Sequence, residues 1–180
     1  RWALLLNTTA NNNTAFGSSA LQENTTGAQN TSVGAFALDA NTTGSYNTAL
    51  GYNSLTANTT GERNTAVGQA SVQSNTTGNY NTGLGQNALG ANTTGSNNIA
   101  IGYNTLDACT TSVSNVCIGN NAGGAITTGN GENVCIGNNC AAAMTTAQQN
   151  IIIGDNAAAG AAVTGNLNVI VGDNAAYALT

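Results

Sequence analysis

The sequence predicts an all-β fold, a parallel β-solenoid (β-roll) of about ten rungs, each 17–18 residues long. Three observations carry the prediction. First, one pattern recurs along nearly the whole chain, with copies opening at Asn13, Asn30, Asn47, Asn64, Asn81, Asn98, Asn115, Asn133, Asn150 and Asn168. Second, each copy starts with a short run of the type "NTAVG", and the earlier copies also carry "NTTG". Third, Asn, Thr and Gly dominate and are poor helix formers, while the apolar segments "TAFG", "TSVG", "IIIG" and "VIVG" are short and rich in β-branched residues.

The repeat length is sufficient for one closed coil. Seventeen residues at roughly 3.3 Å each give a contour near 56 Å, which closes into a flat turn of two or three short strands. Coils stacked about 4.8 Å apart make a rod of roughly 45–50 Å from ten copies. The array is read as residues 13–180. Residues 1–12 are read as a separate apolar segment, an inter-subunit strand or a cap.

Numbering positions from the first Asn of each copy turns the stack into columns. Position 3 holds Phe16, Val33, Leu50, Val67, Leu84, Ile101, Ile118, Ile136, Ile153 and Val171, so it is expected inside. Position 8 holds Leu21, Leu38, Leu55, Val72, Leu89 and Leu106, then Gly123 and Ala141, and is expected to face position 3 across a thin core. Gly is constant at position 4, from Gly17 to Gly172, which implies a corner at positive φ or a close backbone approach. The constant Asn at position 0 reads as structural, bonding along the axis and to turn backbone.

The later copies differ. Their strands become "VCI", "III" and "VIV", apolar at successive positions, which is the pattern of a strand buried on both faces. Ile152 and Ile170 are therefore expected on a second buried surface, covered by another copy of the chain. Trp2, Leu4, Leu5 and Leu6 lie outside the repeat register and are expected to dock onto that surface in a neighbouring subunit.

Composition excludes several classes. Charged residues are 5% of the chain and aromatics 4%, with a net charge of −5 and two basic residues. There is no basic stripe for a nucleic acid, no third-residue Gly repeat for collagen, and no long apolar run to insert in a membrane. The first residue is Arg1, as expected either after removal of an export signal or where the true start lies elsewhere.

Several side chains are candidates for chemistry. Asn7, Asn24, Asn41, Asn58, Asn75 and Asn92 head N-T-T sequons, and Asn12 and Asn30 head N-N-T and N-T-S, so a glycan ladder is one reading and a turn-capping Asn column the other. At position 11 the later occupants Cys109, Ile126, Met144 and Val163 favour a covered site. Eight Thr pairs, from Thr25-Thr26 to Thr145-Thr146, suggest a neutral ladder of the kind an ice-binding solenoid uses. Neighbouring Thr residues point to opposite faces, so one column at most can be outside. Cys109, Cys117, Cys135 and Cys140 are expected to form disulfides; Cys117 and Cys135 share position 2 on consecutive copies, and three connectivities remain open. No metal or other cofactor is expected: His is absent and the Cys spacing is not that of a zinc site. Asp155 and Asp173 share position 5 on consecutive copies, about 5 Å apart by rung spacing. With no groove or aromatic platform implied around them, catalysis is not expected.

"NTAVG", "NIAIG" and "NVCIG", each followed by a small residue, resemble the YadA-like head repeats of trimeric autotransporter adhesins. "NTALGYN…NTTG" is similar to repeats of phage tail-fibre-like and bacterial surface proteins. The resemblance implies a left-handed parallel β-roll, often trimeric, serving as a spacer or adhesive shaft. The period here is longer than the usual head repeat, with "NTTG" as an added arm. The expected function is a non-enzymatic subunit of an extracellular filament or fibre shaft, at a cell or virion surface, whose partner is itself as a homo-trimer or head-to-tail filament. An ice-binding solenoid and a module that binds surface glycans are the alternatives.

Overall fold

The computed structural model describes residues 2–129, 131–160 and 163–177. Its ten strands are β1 (Thr14–Phe16), β2 (Thr31–Val33), β3 (Thr48–Leu50), β4 (Thr65–Val67), β5 (Thr82–Leu84), β6 (Ile99–Ile101), β7 (Val116–Ile118), β8 (Val134–Ile136), β9 (Ile151–Ile153) and β10 (Val169–Val171). They form one parallel sheet in sequence order, β1 to β10. Each strand pairs in register with the same positions of the next copy, as in Thr48↔Thr65, Ala49↔Ala66 and Leu50↔Val67. One strand per copy, paired to its successor, is a β-solenoid.

Hydrogen bonding between coils continues outside the sheet. The Leu38, Ala40 and Thr42 N–H groups donate to the carbonyls of Ser54, Thr56 and Thr59 in the following coil, at 3.1, 3.2 and 2.9 Å. The Tyr46 N–H turns the other way, to Ala28 of the preceding coil at 3.0 Å. Backbone groups that a three-residue strand leaves over are thus satisfied by stacking, as buried peptide groups must be.

The core lies on the opposite face of the strands from the one expected. Position 2, not position 3, points inward: Ala49, Ala66, Ala100, Cys117, Cys135 and Ile152 have no exposed surface, whereas Phe16 is 75% and Leu50 47% exposed. Side chains of a strand alternate, so a frame shift of one residue exchanges the faces. The inward parity also contains position 0, whose Asn side chains are buried throughout the central copies. The coil is too thin for two large columns. Ala49, Ala66 and Ala100 at position 2 share one buried cluster with Leu38, Leu55 and Leu89 at position 8, which are fully buried as expected.

Those position-8 side chains reach the core from an unusual backbone. Leu21, Leu38, Leu55, Val72, Leu89 and Leu106 all have φ between 50° and 55°. Left-handed φ costs an L-residue roughly 1–2 kcal/mol, and full burial of Leu or Val returns about 1.5–3, so burial prevails by a small margin. Position 4 has no such choice. Gly102 has φ 135°, and a Cβ there would run into the Gly119 carbonyl of the next coil.

Core volume is conserved as the sequence drifts. The coil from Asn47 fills its interior with Ala49, Leu55 and Asn58; the coil from Asn115 uses Cys117, Gly123 and Ile126; the coil from Asn133 uses Cys135, Ala141 and Met144. Each enlargement at positions 2 and 11 is matched by a reduction at position 8, as close packing requires.

Two expectations about the ends of the pattern are corrected. Leu4 is not outside the register. It occupies the position-8 column with φ 51°, donates its N–H to Ala20 at 3.1 Å, and packs on the core. The Leu4, Leu6 and Thr8 N–H groups bond the Ala20, Gln22 and Thr25 carbonyls, so this segment stacks as a partial coil on the first copy. Ile152 is fully buried and Ile170 packs against the core, so neither belongs to an outer assembly surface. Their strand neighbours do: Ile151 is 41%, Val169 71% and Val171 64% exposed.

Candidate functional site

The outward face of the sheet is built by positions 1 and 3. Position 3 is apolar in every strand, and it is open to solvent or half-buried along the whole sheet. Position 1 is Thr in β1 to β5, then Ile99, Val116, Val134, Ile151 and Val169 in β6 to β10. The face thus changes from rows of Thr and aliphatic side chains to rows of aliphatics alone, with no charged side chain on either column. In-register pairing holds these rows flat at about 4.8 Å.

Tyrosines stand on both flanks of this strip. Tyr46 and Tyr80 at position 16 precede the strand, and Tyr52 and Tyr103 at position 5 follow it; each is about half exposed. The Arg63 guanidinium lies 4.8 Å from the Tyr46 ring and 5.5 Å from the Tyr80 ring. It also donates to the Tyr80 hydroxyl at 3.2 Å and to the Glu62 carboxylate at 3.3 Å. Phe36 meets Tyr52 edge to face at 6.1 Å. Trp2, Leu5 and Leu6 are exposed, as an assembly role would need.

The sequon column is largely sealed. Asn24, Asn30, Asn41, Asn58, Asn75 and Asn92 have no exposed surface. Asn58 Nδ2 donates to Asn41 Oδ1 at 2.8 Å and to the Gly61 carbonyl at 3.0 Å, and Asn75 Nδ2 repeats the link to Asn58 Oδ1 at 2.8 Å. A glycan on these nitrogens has no room in the folded coil, so the turn-capping reading is the one the geometry supports. Asn7 is half-buried and extends the same ladder by accepting from Asn24 at 2.9 Å; Asn12 is exposed. Where position 11 becomes Cys109, Ile126 and Met144 the site is equally buried; the Cys109 thiol still donates to Asn92 Oδ1 at 4.0 Å and to the Ser112 carbonyl at 3.8 Å, and apolar packing replaces the ladder at Ile126 and Met144.

The Thr pairs lie outside the strands, nearly all of them in bends. From Thr25 to Thr110 the first Thr of a pair is tied to backbone: Thr42 Oγ1 donates to the Thr59 carbonyl at 3.0 Å, and Thr59 Oγ1 to Thr76 at 3.0 Å. The second is exposed in every pair, from Thr26 to Thr146, giving one outward Thr column.

All four cysteines are buried free thiols. Cys117 and Cys135 are direct register partners on β7 and β8. Burial pushes the Cys109 thiol up to about 11. A hydrogen bond with the Cys117 thiol, together with burial, raises Cys135; the hydrogen bond with Cys135 and burial raise Cys140. Asp155 and Asp173 are exposed on successive coils and each accepts from the Asn that follows it, at 3.2 and 2.9 Å. Among the described residues no group of three or more His, Cys, Asp or Glu could hold a metal ion.

No helix among the described residues is long and apolar enough to cross a membrane. No protein-family model, curated protein or solved structure matches the chain.

Proposed function

We propose that the protein is a non-enzymatic structural solenoid, a shaft module of an extracellular fibre or filament, and that copies associate through the outward face of the sheet. The observation that carries this reading is the uninterrupted apolar column at position 3, doubled by Ile and Val at position 1 from Ile99 onward. A strip of about 45 by 10 Å, by rung spacing, is near the largest apolar patch a soluble monomer tolerates. It is smaller than the roughly 800 Å² per partner of a standard interface, and the flanking Tyr46, Tyr52, Tyr80 and Tyr103 supply residues of the type interfaces favour. The absence of charge from the strip removes the usual defence against association.

The test compares wild type with Ile101→Lys and Ile118→Lys in sedimentation and negative-stain micrographs. Wild type is expected to form oligomers or fibres, and the outward Lys variants to keep the coil, by circular dichroism, but remain monomeric. A wild type that is monomeric up to high concentration, or Lys variants that still assemble, would sink the proposal.

A second reading rests on a different observation. The exposed Thr column, Thr26 to Thr146, is a regular hydroxyl ladder free of charged neighbours at its own position. It suits an ice surface, and thermal hysteresis in the monomer distinguishes that use from self-association.

A further inference from the structure

Three thiols meet in the interior where the core changes composition. Positions 2 and 7 of one coil come to contact distance where the structure shows them: Ser32 Oγ donates to the Ala37 carbonyl at 2.7 Å, and a Cβ added at Gly83 would lie 3.1 Å from the Ala88 carbonyl of its own coil and 2.5 Å from Ser71 Oγ, position 7 of the preceding coil. In the coil from Asn133 these two positions are Cys135 and Cys140. Cys140 Sγ lies 3.0 Å from the carbonyl of Ile152, the next residue up the Cys135 column. Both Cys135 and Cys140 are fully buried, as is Cys117 below.

The third thiol, Cys117, is the register partner of Cys135 and hydrogen-bonds it. Parallel in-register residues keep their side chains side by side at about the 4.8 Å rung spacing, whereas a disulfide draws the Cβ atoms to roughly 3.5–4.5 Å. Cys117 Sγ moreover has its own niche: a Cβ added at Gly123 would lie 2.9 Å from it, so the sulfur fills space left by the missing Leu of position 8. Cys140 instead approaches Cys135 from the facing wall.

We propose that Cys135 and Cys140 are an intracoil disulfide site, closed by exchange with a small-molecule disulfide before the coil packs shut, and that Cys117 remains a thiol. The thiolate of one cysteine attacks the external disulfide, forms a mixed disulfide and expels one small thiolate. The second cysteine, deprotonated, attacks the protein sulfur of that mixed disulfide and expels the other. One S–S bond forms in the protein, one breaks in the oxidant, and the two thiol protons leave to solvent with the two released thiolates. After packing, the sulfurs are inaccessible and held protonated, so reduced coil stays reduced and oxidised coil stays oxidised.

The full chain is unfolded under reduction and refolded either with a reductant or with reduced and oxidised glutathione. It is then alkylated in denaturant, digested and mapped by mass spectrometry. After oxidative refolding, Cys109 and Cys117 are expected to alkylate, while Cys135 and Cys140 lose both alkylations and share a peptide lighter by two hydrogens. Cys117→Ser keeps that loop; Cys140→Ser loses it and exposes Cys135 to alkylation. Alkylation of all four cysteines, or a link from Cys135 to Cys117, overturns the assignment. Rapid alkylation of the folded, reduced protein without denaturant overturns the sealed-core part of it. The wild-type map decides the pairing even if a variant fails to refold.

Discussion

Asn30 and Asn41 donate to the same acceptor: the Nδ2 of each lies 2.9 Å from the carbonyl oxygen of Gly44. The arrangement recurs with Asn47 and Asn58 on Gly61, at 2.8 and 3.0 Å, and with Asn64 and Asn75 on Gly78, at 2.8 and 3.0 Å. Both asparagines also reach along the axis. Asn47 N–H donates to Asn30 Oδ1, and Asn58 Nδ2 to Asn41 Oδ1. One coil is thus pinned across its width by a shared carbonyl and along the rod by two amide ladders.

Asn58→Ala removes the donor to Asn41 Oδ1 and the acceptor for Asn75 Nδ2, both of them buried. Leaving buried polar groups unpaired costs about 1–3 kcal/mol each, so a loss of about 2–4 kcal/mol is expected in urea unfolding. A change below 0.5 kcal/mol, by the same scale, would contradict the ladder. Peptides spanning Asn41, Asn58 and Asn75 in the native protein are expected to carry no glycan.

Gly83 breaks the Ala pattern of position 2 because its neighbours take the space. An added Cβ would stand 2.5 Å from Ser71 Oγ and 2.6 Å from Val72 Cγ2. Gly83→Ala is expected to destabilise by about 1–3 kcal/mol, the usual range for overpacking. Adding Ser71→Ala should recover part of that loss. Equal stability of the single and double variants would mean that Ser71 is not the obstacle.

The parity of the strands predicts opposite responses to similar changes. Leu84 is 45% exposed, and Leu84→Thr should alter stability by less than about 1 kcal/mol. Leu89, fully buried, should lose about 2–5 kcal/mol as Leu89→Ala. The reverse ranking in thermal or urea unfolding would restore position 3 to the core.

Asp107 has its carboxyl held above the ordinary 3.8 by burial. The folded coil therefore holds this proton more tightly than the unfolded chain does, and stability from this group is complete below the unfolded pKa and lost as pH rises through the folded one. Asp107→Asn should be more stable than wild type near neutral pH, with the difference shrinking as pH falls through the raised folded pKa and gone below the ordinary 3.8. A difference independent of pH would assign the effect to packing and not to charge.

Strict recurrence of Asn, Gly and a short apolar run in one period determined the solenoid, its rungs and the structural role of the Asn column. A chain repeating every 17–18 residues buries its apolar positions most simply by stacking equivalent ones. The buried fate of position 11 was also visible, in the replacement of Asn92 by Cys109 and Ile126. What tertiary structure decided was the direction in which each strand faces. Phe16, Leu50 and Leu84 are the most apolar residues of their strands, yet Ala15, Ala49 and Gly83 take the inward position, because Leu21, Leu55 and Leu89 from the facing turn already fill the coil. Hydrophobicity ranks residues by their affinity for a core, but the width of a closed coil decides which of them fit. The same limit let Ile152 into the core only because position 8 of its coil is Ala158. It also left the larger side chains of the strand on the outer face.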